Sequence, residues 1–429
     1  MHGWAGRKPV ADMTPVKSEG TDMLLDVAKI RSDFPIFKQT VYGKPLTFLD
    51  TAASAQKPRQ VLDAERTLLE TSYANIHRGV YKFSQDATEA YEAARETVRA
   101  FIGAADTREC IFVRGATEGI NLVAQAWGRA NIGEGDEIIL STIEHHSNIV
   151  PWQMLAAEKG AVIKVIPVDE TATLDMDAYA DLLGPRTKMV AIGHISNAVG
   201  TINPVADIIR MAHDAGALVL VDGCQAAPHT ALDMQALGAD FYVFSAHKLY
   251  GPTGVGVLYG KAELLDAMPP WHGGGDMIRT VSFDGTTYND LPYKFEAGTP
   301  HISGGVGLKA AINYVSTIGF DAVHAHEKAL MTYADRALSG FNSLRQIGTS
   351  KDRGAMISFV MEHAHPHDIG TILDRQGVAV RAGHHCAQPV MDRFGLPGTV
   401  RASFGIYNDF ADIDRLVAGL HKVNEIFGS

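Results

Sequence analysis

Short apolar runs, rich in Val and Ile, recur between residues 110 and 260 and are separated by segments with helical periodicity. Because apolar and polar residues do not alternate within the runs, they predict strands that are buried on both faces of a sheet. Strands and helices in alternation predict an α/β fold with a mostly parallel, seven-stranded sheet, which binds ligands at the carboxyl ends of its strands. The predicted strands are CIFV at 110–113, EIIL at 137–140, VIKVIPV at 162–168, MVAIGHI at 189–195, LVLVD at 218–222, FYVF at 241–244 and VGVLYG at 255–260.

The pattern changes in the last third of the chain. A long, mostly helical stretch is predicted from Ser303 to Leu338, and a mixture of short strands and helices follows it. A chain of 429 residues also exceeds what one hydrophobic core usually serves. We therefore expect a loosely ordered N-terminal tail over 1–27, a large domain over 28–315 and a smaller α+β domain over 316–429, with part of the N-terminal segment packing on the smaller domain.

Composition and charge narrow the class of protein. The formal net charge of −11, with no run of Lys or Arg, excludes nucleic acid and an anionic membrane as the main partner, since both need concentrated positive charge. The 3 cysteines are far apart and form no CxxC pair, which is typical of a reducing compartment. No apolar run reaches the roughly 18 residues of a membrane span, and the first residues resemble neither a secretion signal nor a transit peptide. We expect a cytoplasmic protein.

Lys248 and Asp222 each lie at the carboxyl end of a predicted strand. Lys248 lies in FYVFSAHKLYGPTGVGVLYG, between a buried strand and a loop rich in Gly and Pro, where a lysine is suited to form a Schiff base. An isolated lysine would more often cap a strand at the surface. Asp222 ends the strand LVLVD, three residues before Gln225, and a carboxylate there could hold a pyridinium nitrogen protonated.

A third segment, GATEGIN, is suited to bind a phosphate group. Gly115 follows the strand CIFV, and Ala116 and Thr117 open a helix. The free backbone N–H groups and the dipole of a helix N-terminus favour an anion, and Thr117 adds a hydroxyl. The alternative is an ordinary helix N-terminus that binds nothing.

Two groups of histidines could contact a cofactor or a metal ion. His145 and His146 lie just beyond a predicted strand, where an imidazole could stack on a flat cofactor, although paired loop histidines are more often structural. The HAHPH segment at 363–367 has a spacing that suits a metal, but no complete set of Cys and His ligands surrounds it. We predict no metal site.

One of the three cysteines lies in a loop that suits a reactive thiol. Cys386 stands in VAVRAGHHCAQPVM, after Arg381 and beside His384 and His385, and neighbouring cationic groups favour the nucleophilic thiolate. The other two, Cys110 and Cys224, lie in apolar strand contexts and are interpreted as small buried hydrophobic residues.

Eight segments, taken in order, closely resemble the cysteine desulfurases of the class V aminotransferase family, pyridoxal-phosphate (PLP) enzymes of fold type I. The resemblance runs from about Ile30 to the C-terminus. Within the family, the compact RAGHHCAQP loop is similar to the SufS type rather than to the NifS/IscS type, whose cysteine lies on a longer segment. The segments are GATEGIN, EHHSNIVPW, ISNAVGTINPV, VDGCQAAPH, SAHKLYGPTGVGVLYG, FEAGTPHISG, RAGHHCAQP and RASFGIYN.

The resemblance implies a PLP site and assigns its residues. It implies that Lys248 binds the cofactor covalently and that Asp222 contacts the pyridinium nitrogen. It places His145 against the ring and implies that a neighbouring subunit of an obligate homodimer contributes Thr299 to the phosphate site. The remaining cofactor contacts that it implies are Gln225 near the ring hydroxyl, Asn197 beside the ring, and Ala116, Thr117, Ser245 and His247 at the phosphate. Ala116 stands where many members carry a second Thr, and we expect little loss because the backbone N–H is retained.

The same resemblance implies the substrate, the chemistry and the partners. Lys248, His145 and Cys386 are the implied catalytic residues, and Cys386 receives the sulfur of L-cysteine as a persulfide for iron–sulfur cluster assembly. Arg401 is implied to pair with the substrate carboxylate, a bidentate task that suits a guanidinium group. The other implied substrate contacts are Arg381, Asn197 and His77. The implied sulfur acceptor is a protein of the SufE or SufU type.

Three alternatives to a cysteine desulfurase stay open at the level of sequence. A selenocysteine lyase would act on L-selenocysteine and depend less on Cys386. A class V aminotransferase would need a keto acid and no thiol, and fold alone does not exclude it. A PLP-fold scaffold that binds a sulfur-transfer partner without turnover would be indicated by a missing lysine, and the presence of Lys248, Asp222, Arg401 and Cys386 together argues against it.

Overall fold

A seven-stranded sheet forms the centre of the molecule. The computed structural model describes residues 25–428, so most of the predicted N-terminal tail lies outside the described residues. The strands coincide with the seven predicted runs to within two residues at either end, which confirms the predicted α/β fold. In chain order they are β1 (Cys110–Val113), β2 (Glu137–Ser141), β3 (Val162–Ile166), β4 (Thr187–Gly193), β5 (Leu218–Asp222), β6 (Phe241–Ser245) and β7 (Gly256–Gly260).

The sheet is mostly parallel, as predicted. Its strand order is β1-β7-β6-β5-β4-β2-β3. Strands β2 to β6 pair in parallel, whereas β7 runs antiparallel to both of its neighbours, β1 and β6. Because β1 therefore has the same direction as β2 to β6, the carboxyl ends of six strands meet at one edge of the sheet.

Both faces of the sheet are covered except along the edge strand β3, where Val162 and Val165 are exposed, so the prediction of burial on both faces is wrong for this strand. Successive side chains of a strand point to opposite faces, and along β1 they enter two different hydrophobic cores: Cys110 and Phe112 one, Ile111 and Val113 the other. Burial on both sides explains why the strands read as continuous apolar runs in the sequence.

Helices connect the strands and complete the layers. Within residues 25–428, no helix is both long and apolar enough to cross a membrane. The α-helices comprise Val27–Asp33, Arg59–Thr71, Lys82–Ile102, Ala116–Val123, Arg129–Asn131, Val150–Lys159, Met176–Leu182, Val205–Asp214, Met234–Leu237, Ala262–Ala267, Ile302–Ile318, Phe320–Leu338, Pro366–Arg375, Gln388–Phe394 and Phe410–Phe427.

The predicted helical stretch from Ser303 to Leu338 is two helices rather than one. The break falls at Gly319, whose φ of 87° is a conformation that other residues rarely adopt. The predicted domain boundary at residue 316 lies in the last turn of the helix Ile302–Ile318.

A second, antiparallel sheet lies in the C-terminal part of the chain. It has its own hydrophobic core, to which the N-terminal segment contributes Leu49. The short strand Thr47–Phe48 pairs in parallel with Val378–Ala379, and Asp50 forms a bridge to Ser403. The four strands of the sheet, in spatial order, are Leu344–Ile347, Met356–Met361, Thr399–Ser403 and Arg381–Gly383.

Candidate active site

A pocket of about 360 Å³ opens at the carboxyl ends of the parallel strands. It brings together residues that are far apart in the chain, and all but two of the predicted site residues line it. Those that do are Ala116, Thr117, His145, Asn197, Asp222, Gln225, Ser245, His247, Lys248, Arg381, Cys386 and Arg401.

One end of the pocket has the character of an anion site. Gly115 precedes the helix Ala116–Val123, and a side chain at Gly115 would put its Cβ 3.2 Å from Ser245 Oγ, so the close approach favours glycine. The Ala116 N–H donates to Ser245 Oγ at 2.9 Å. Thr117, exposed in the first turn, adds its hydroxyl. This arrangement places hydroxyl groups and a helix N-terminus at one point of the pocket.

A buried carboxylate lies deeper in the pocket, at the end of β5. Asp222 is 8% exposed, and one of its oxygens accepts a hydrogen bond from the Cys224 N–H at 3.0 Å. Gln225 donates from Nε2 to the Ala52 carbonyl at 2.7 Å and so connects this end of the sheet to the N-terminal segment. Asp222 is thus held by local turn geometry at the wall of the cavity.

His145 is a neutral imidazole in this setting. Its Nδ1 accepts a hydrogen bond from the Ser147 N–H at 3.0 Å, so the ring proton resides on Nε2. Burial, followed by the positive charge of Lys248, lowers the pKa of His145 to about 4. An uncharged, flat ring therefore lines the pocket at neutral pH.

Lys248 ends a short 3₁₀ turn, Ala246–Lys248, that follows β6. The turn is fixed from the N-terminal segment, because the His247 carbonyl accepts from the Ala55 N–H at 3.0 Å and from Lys57 Nζ at 3.1 Å. Burial lowers the pKa of His247 to about 4, so its ring is neutral as well. The half-buried amine of Lys248 therefore stands on a rigid support at the pocket wall.

Arg401 is almost fully buried in the pocket wall, at 2% exposure. Its guanidinium group donates to the Asn197 carbonyl and, at 3.3 Å, to Asp50, while its Nε has no partner among the described residues. Burial lowers the pKa of Arg401 to about 10, which still leaves it charged at neutral pH. Asp50 also accepts two hydrogen bonds from Arg381, at 3.0 and 2.8 Å. The Asp50 carboxylate thus binds both Arg381 and Arg401.

Cys386 lies in a short loop, residues 384–387, between the strand Arg381–Gly383 and the helix Gln388–Phe394. Its side chain is exposed and lines the pocket, whereas Cys110 and Cys224 are buried. Burial raises the pKa of each of these two thiols to about 12. Cys224 also lines the pocket, a contact that its apolar strand context does not reveal.

Three further residues of the pocket region were not predicted from the sequence. Asp50 ends the apolar run LTFLD as Asp222 ends LVLVD, so the same signal was present. Glu144 and His385 are immediate neighbours of predicted residues. Glu144 is buried and accepts hydrogen bonds from Ser141 Oγ, Asn148 Nδ2 and the Gly193 N–H.

His77 and Thr299 lie outside the pocket of their own chain. His77 Nε2 is 2.9 Å from Glu92 Oε1. Thr299 is exposed and lines a second cavity of about 620 Å³, together with Arg114 and His301. The roles implied for His77 and Thr299 therefore stay predictions, and a single chain does not bring them to Lys248.

Comparison with known proteins assigns the family. The family model described as aminotransferase class-V matches residues 47–416. The chain therefore belongs to the class V aminotransferase family, as predicted. A curated relative, the cysteine desulfurase of Dickeya dadantii strain 3937, is 52% identical over 403 residues, which are 94% of this chain and 98% of that protein.

Solved structures agree with this assignment. The crystal structure of the cysteine desulfurase CsdA (S-sulfonic acid) from Escherichia coli matches with a TM-score of 0.87 and 41% identity, over 94% of this chain and 100% of that chain. The apo structure of the cysteine desulfurase from Thermococcus onnurineus NA1 gives a TM-score of 0.89 at 36% identity, over 93% and 98% of the two chains. The predicted PLP-enzyme fold of type I is confirmed.

Proposed function

We propose that this chain is a PLP-dependent cysteine desulfurase, which moves the sulfur of L-cysteine onto Cys386 and releases L-alanine. The observation that carries the proposal is a single pocket lined by Lys248, Asp222, Arg401 and the exposed thiol of Cys386. Curated relatives that share half of the residues over nearly the whole chain bear the name cysteine desulfurase. The prediction of this activity from the sequence is confirmed by them.

The pocket residues fit PLP in charge and in hydrogen-bonding character. The helix N-terminus at Ala116, with Thr117 and Ser245, offers donors to a phosphate group. Asp222 offers a buried carboxylate to a ring nitrogen, and neutral His145 offers a flat face to the ring. When bound, PLP supplies an electron sink that weakens the bonds to the Cα atom of an amino acid.

The chain's own residues supply binding and proton transfer. Arg401 holds the substrate carboxylate, and its Nε is a donor without a partner among residues 25–428. Lys248 would hold PLP covalently through its amine. The Nζ of Lys248, when it is a free amine, would accept the Cα proton of the substrate. Arg401 and Lys248 thereby orient the substrate with its side chain toward Cys386.

Sulfur transfer requires a thiolate at residue 386. The Cys386 sulfur attacks the substrate sulfur, so that an S–S bond forms as the Cβ–S bond breaks. The electron pair of the broken bond stays with the three-carbon fragment, which takes up protons and leaves as alanine. Cysteine and the enzyme thiol thus become alanine and an enzyme persulfide, and no external oxidant is consumed.

Within the family we propose the SufS type. Only residues 384–387 separate the strand Arg381–Gly383 from the helix Gln388–Phe394, so the cysteine loop is short. Because Cys386 is exposed, a persulfide on it is open to an acceptor protein, for which we propose the SufE or SufU type and delivery to iron–sulfur cluster assembly. A cytoplasmic location stays a prediction from the sequence.

We also propose that the enzyme is a homodimer. Thr299, which the resemblance assigns to the phosphate site of a neighbouring subunit, is exposed and lines a different cavity from its own Lys248 pocket. Several large apolar side chains close to His77 are exposed in the single chain, namely Tyr73, Val80, Tyr81 and Phe83. Val80 is 93% exposed. Exposure of a large apolar side chain to water is unfavourable, and contact with a second copy of the chain would bury it.

The test compares the wild-type holoenzyme with Cys386→Ser, with Cys110→Ala as the matched control for a buried thiol. We expect wild type and Cys110→Ala to produce alanine and sulfide in equal amounts from L-cysteine with a reductant. Cys386→Ser should keep the visible absorption of PLP and bind cysteine, yet form no persulfide from ³⁵S-cysteine. Alanine and sulfide production by Cys386→Ser at the wild-type rate would falsify the proposal.

L-Selenocysteine as a second substrate separates the nearest alternative. A cysteine desulfurase loses its activity on cysteine when Cys386 is replaced. A selenocysteine lyase turns over selenocysteine in Cys386→Ser as fast as in the wild type and acts only weakly on cysteine.

A further inference from the structure

We infer that His146 is a positioning residue that holds the Cys386 loop, residues 384–387, in the conformation that presents the thiol to the pocket. The inference rests on the proposed function, because it concerns how the sulfur nucleophile is placed. It differs from the role predicted for the neighbouring His145, since His146 is not among the residues that line the pocket.

The loop has an unfavourable backbone conformation. His385 and Cys386 have φ values of 54° and 55°, so two consecutive residues with side chains are in the left-handed region. In this region the Cβ atom crowds the backbone, and residues other than Gly, Asn and Asp rarely enter it. Such a conformation persists only where surrounding contacts over-determine it.

His146 supplies contacts on both sides of Ala387. Its backbone N–H donates to the Cys386 carbonyl at 2.7 Å. Its ring Nε2 accepts a hydrogen bond from the Gln388 N–H at 3.0 Å, so the ring proton is on Nδ1. One residue thus fixes the carbonyl of the nucleophile and the first N–H of the helix that follows.

The opposite side of the loop is held by other elements. Asn197 Nδ2 donates to the His385 carbonyl at 2.6 Å, and His385 Nε2 is 2.8 Å from Thr399 Oγ1. These contacts hold His385, but they do not reach the carbonyl of Cys386 or the N–H of Gln388. The position of the thiol therefore depends on His146, which ties the loop to the segment that carries His145.

Three variants separate the ring contact from general damage. His146→Ala removes the Nε2 acceptor and keeps the backbone N–H that binds Cys386. His146→Gln offers a side-chain oxygen at a similar reach and should restore the acceptor. Gln388→Ala is the matched control, because Gln388 is exposed and contributes its backbone N–H to this contact.

Two readouts test the holoenzymes. The first is hydrogen exchange of the Gln388 amide, followed by mass spectrometry of peptides that cover residues 384–391. The second is the rate of persulfide formation on Cys386 in a single turnover with ³⁵S-cysteine. For His146→Ala we expect exchange about tenfold faster and persulfide formation about tenfold slower, the effect of one lost hydrogen bond. PLP absorbance and the KM for cysteine should not change, and His146→Gln and Gln388→Ala should stay within about twofold of wild type.

Either of two results overturns the inference. One is wild-type persulfide formation in His146→Ala. The other is a defect in His146→Ala that His146→Gln shares in full although its Gln388 amide is protected again. If the wild type itself forms no persulfide, the proposed function fails, and the exchange data still report whether His146 holds the loop.

Discussion

Glu144 is a buried carboxyl group whose titration makes the stability of the fold depend on pH. Burial raises the pKa of Glu144 to about 7 from its usual 4.5, against the opposing effect of hydrogen bonds from Ser141, Asn148 and Gly193. Between these two values the folded protein holds a proton on Glu144 that the unfolded chain has lost. The stability gained from this proton is fully present below pH 4.5 and is lost as the pH rises through 7.

The size of the effect follows from the interval between the two pKa values. Each pH unit in which only the folded chain holds the proton contributes about 1.4 kcal/mol. The interval from 4.5 to about 7 therefore corresponds to about 3 kcal/mol in the free energy of unfolding. Glu144→Gln removes the titration and keeps a side chain of nearly the same size.

The assay is denaturant unfolding of wild type and Glu144→Gln between pH 5 and pH 8, at equal concentrations of protein and PLP. Several histidines, among them His145, His194 and His247, have their pKa lowered to about 4 by burial and destabilise the fold in acid. Their contributions cancel when the two proteins are subtracted. We expect the wild type to gain about 2–3 kcal/mol over the variant as the pH falls from 8 to 5.

An exposed glutamate, Glu362, provides the matched control for Glu144. Glu362 is exposed, so Glu362→Gln should follow the wild-type curve at every pH. The difference in the free energy of unfolding between wild type and Glu144→Gln should in contrast change with pH. If it stays constant to within about 1 kcal/mol, burial does not raise the pKa of Glu144 and the three hydrogen bonds keep it ionised.

Two further predictions concern the substrate arginine and the thiols. Arg401→Lys loses the planar pair of donors, so the KM for cysteine should rise about tenfold or more with the PLP absorbance retained; an unchanged KM would remove Arg401 from substrate binding. Iodoacetamide should rapidly label one thiol per native chain and abolish activity, since Cys386 is exposed while Cys110 and Cys224 are buried. Rapid labelling of Cys386→Ala would contradict the burial of Cys110 and Cys224.

Much of the fold was predictable because all of its central strands except the edge strand β3 are buried on both faces. Continuous Val- and Ile-rich runs located all seven strands. One predicted strand end differs from the observed one because of a proline. The predicted strand VIKVIPV ends at Ile166 because Pro167 has no N–H to donate to a neighbouring strand. The antiparallel direction of β7 was not predicted, since an apolar run carries no information about its direction.

The site was predictable where motifs follow strands directly. Asp222 and Lys248 come after long buried strands, whose ends must meet at one edge of the sheet. Asp50 ends the apolar run LTFLD, a signal like that of Asp222, but the strand there has only two residues, Thr47–Phe48, and the run was not recognised as a strand. Its partners Arg381 and Arg401 come from the other end of the chain, and pairing over such a distance leaves no local signal in the sequence.

The contacts of Asp50 also bear on the order of events during synthesis of the chain. Asp50 lies 331 residues before Arg381 and 351 residues before Arg401. When the seven strands of the central sheet have left the ribosome, the two arginines of the proposed substrate site are still to be synthesised, and contacts over such distances form late in folding. If Arg401 binds the substrate as proposed, binding of cysteine becomes possible only after Cys386, the proposed nucleophile, has been synthesised.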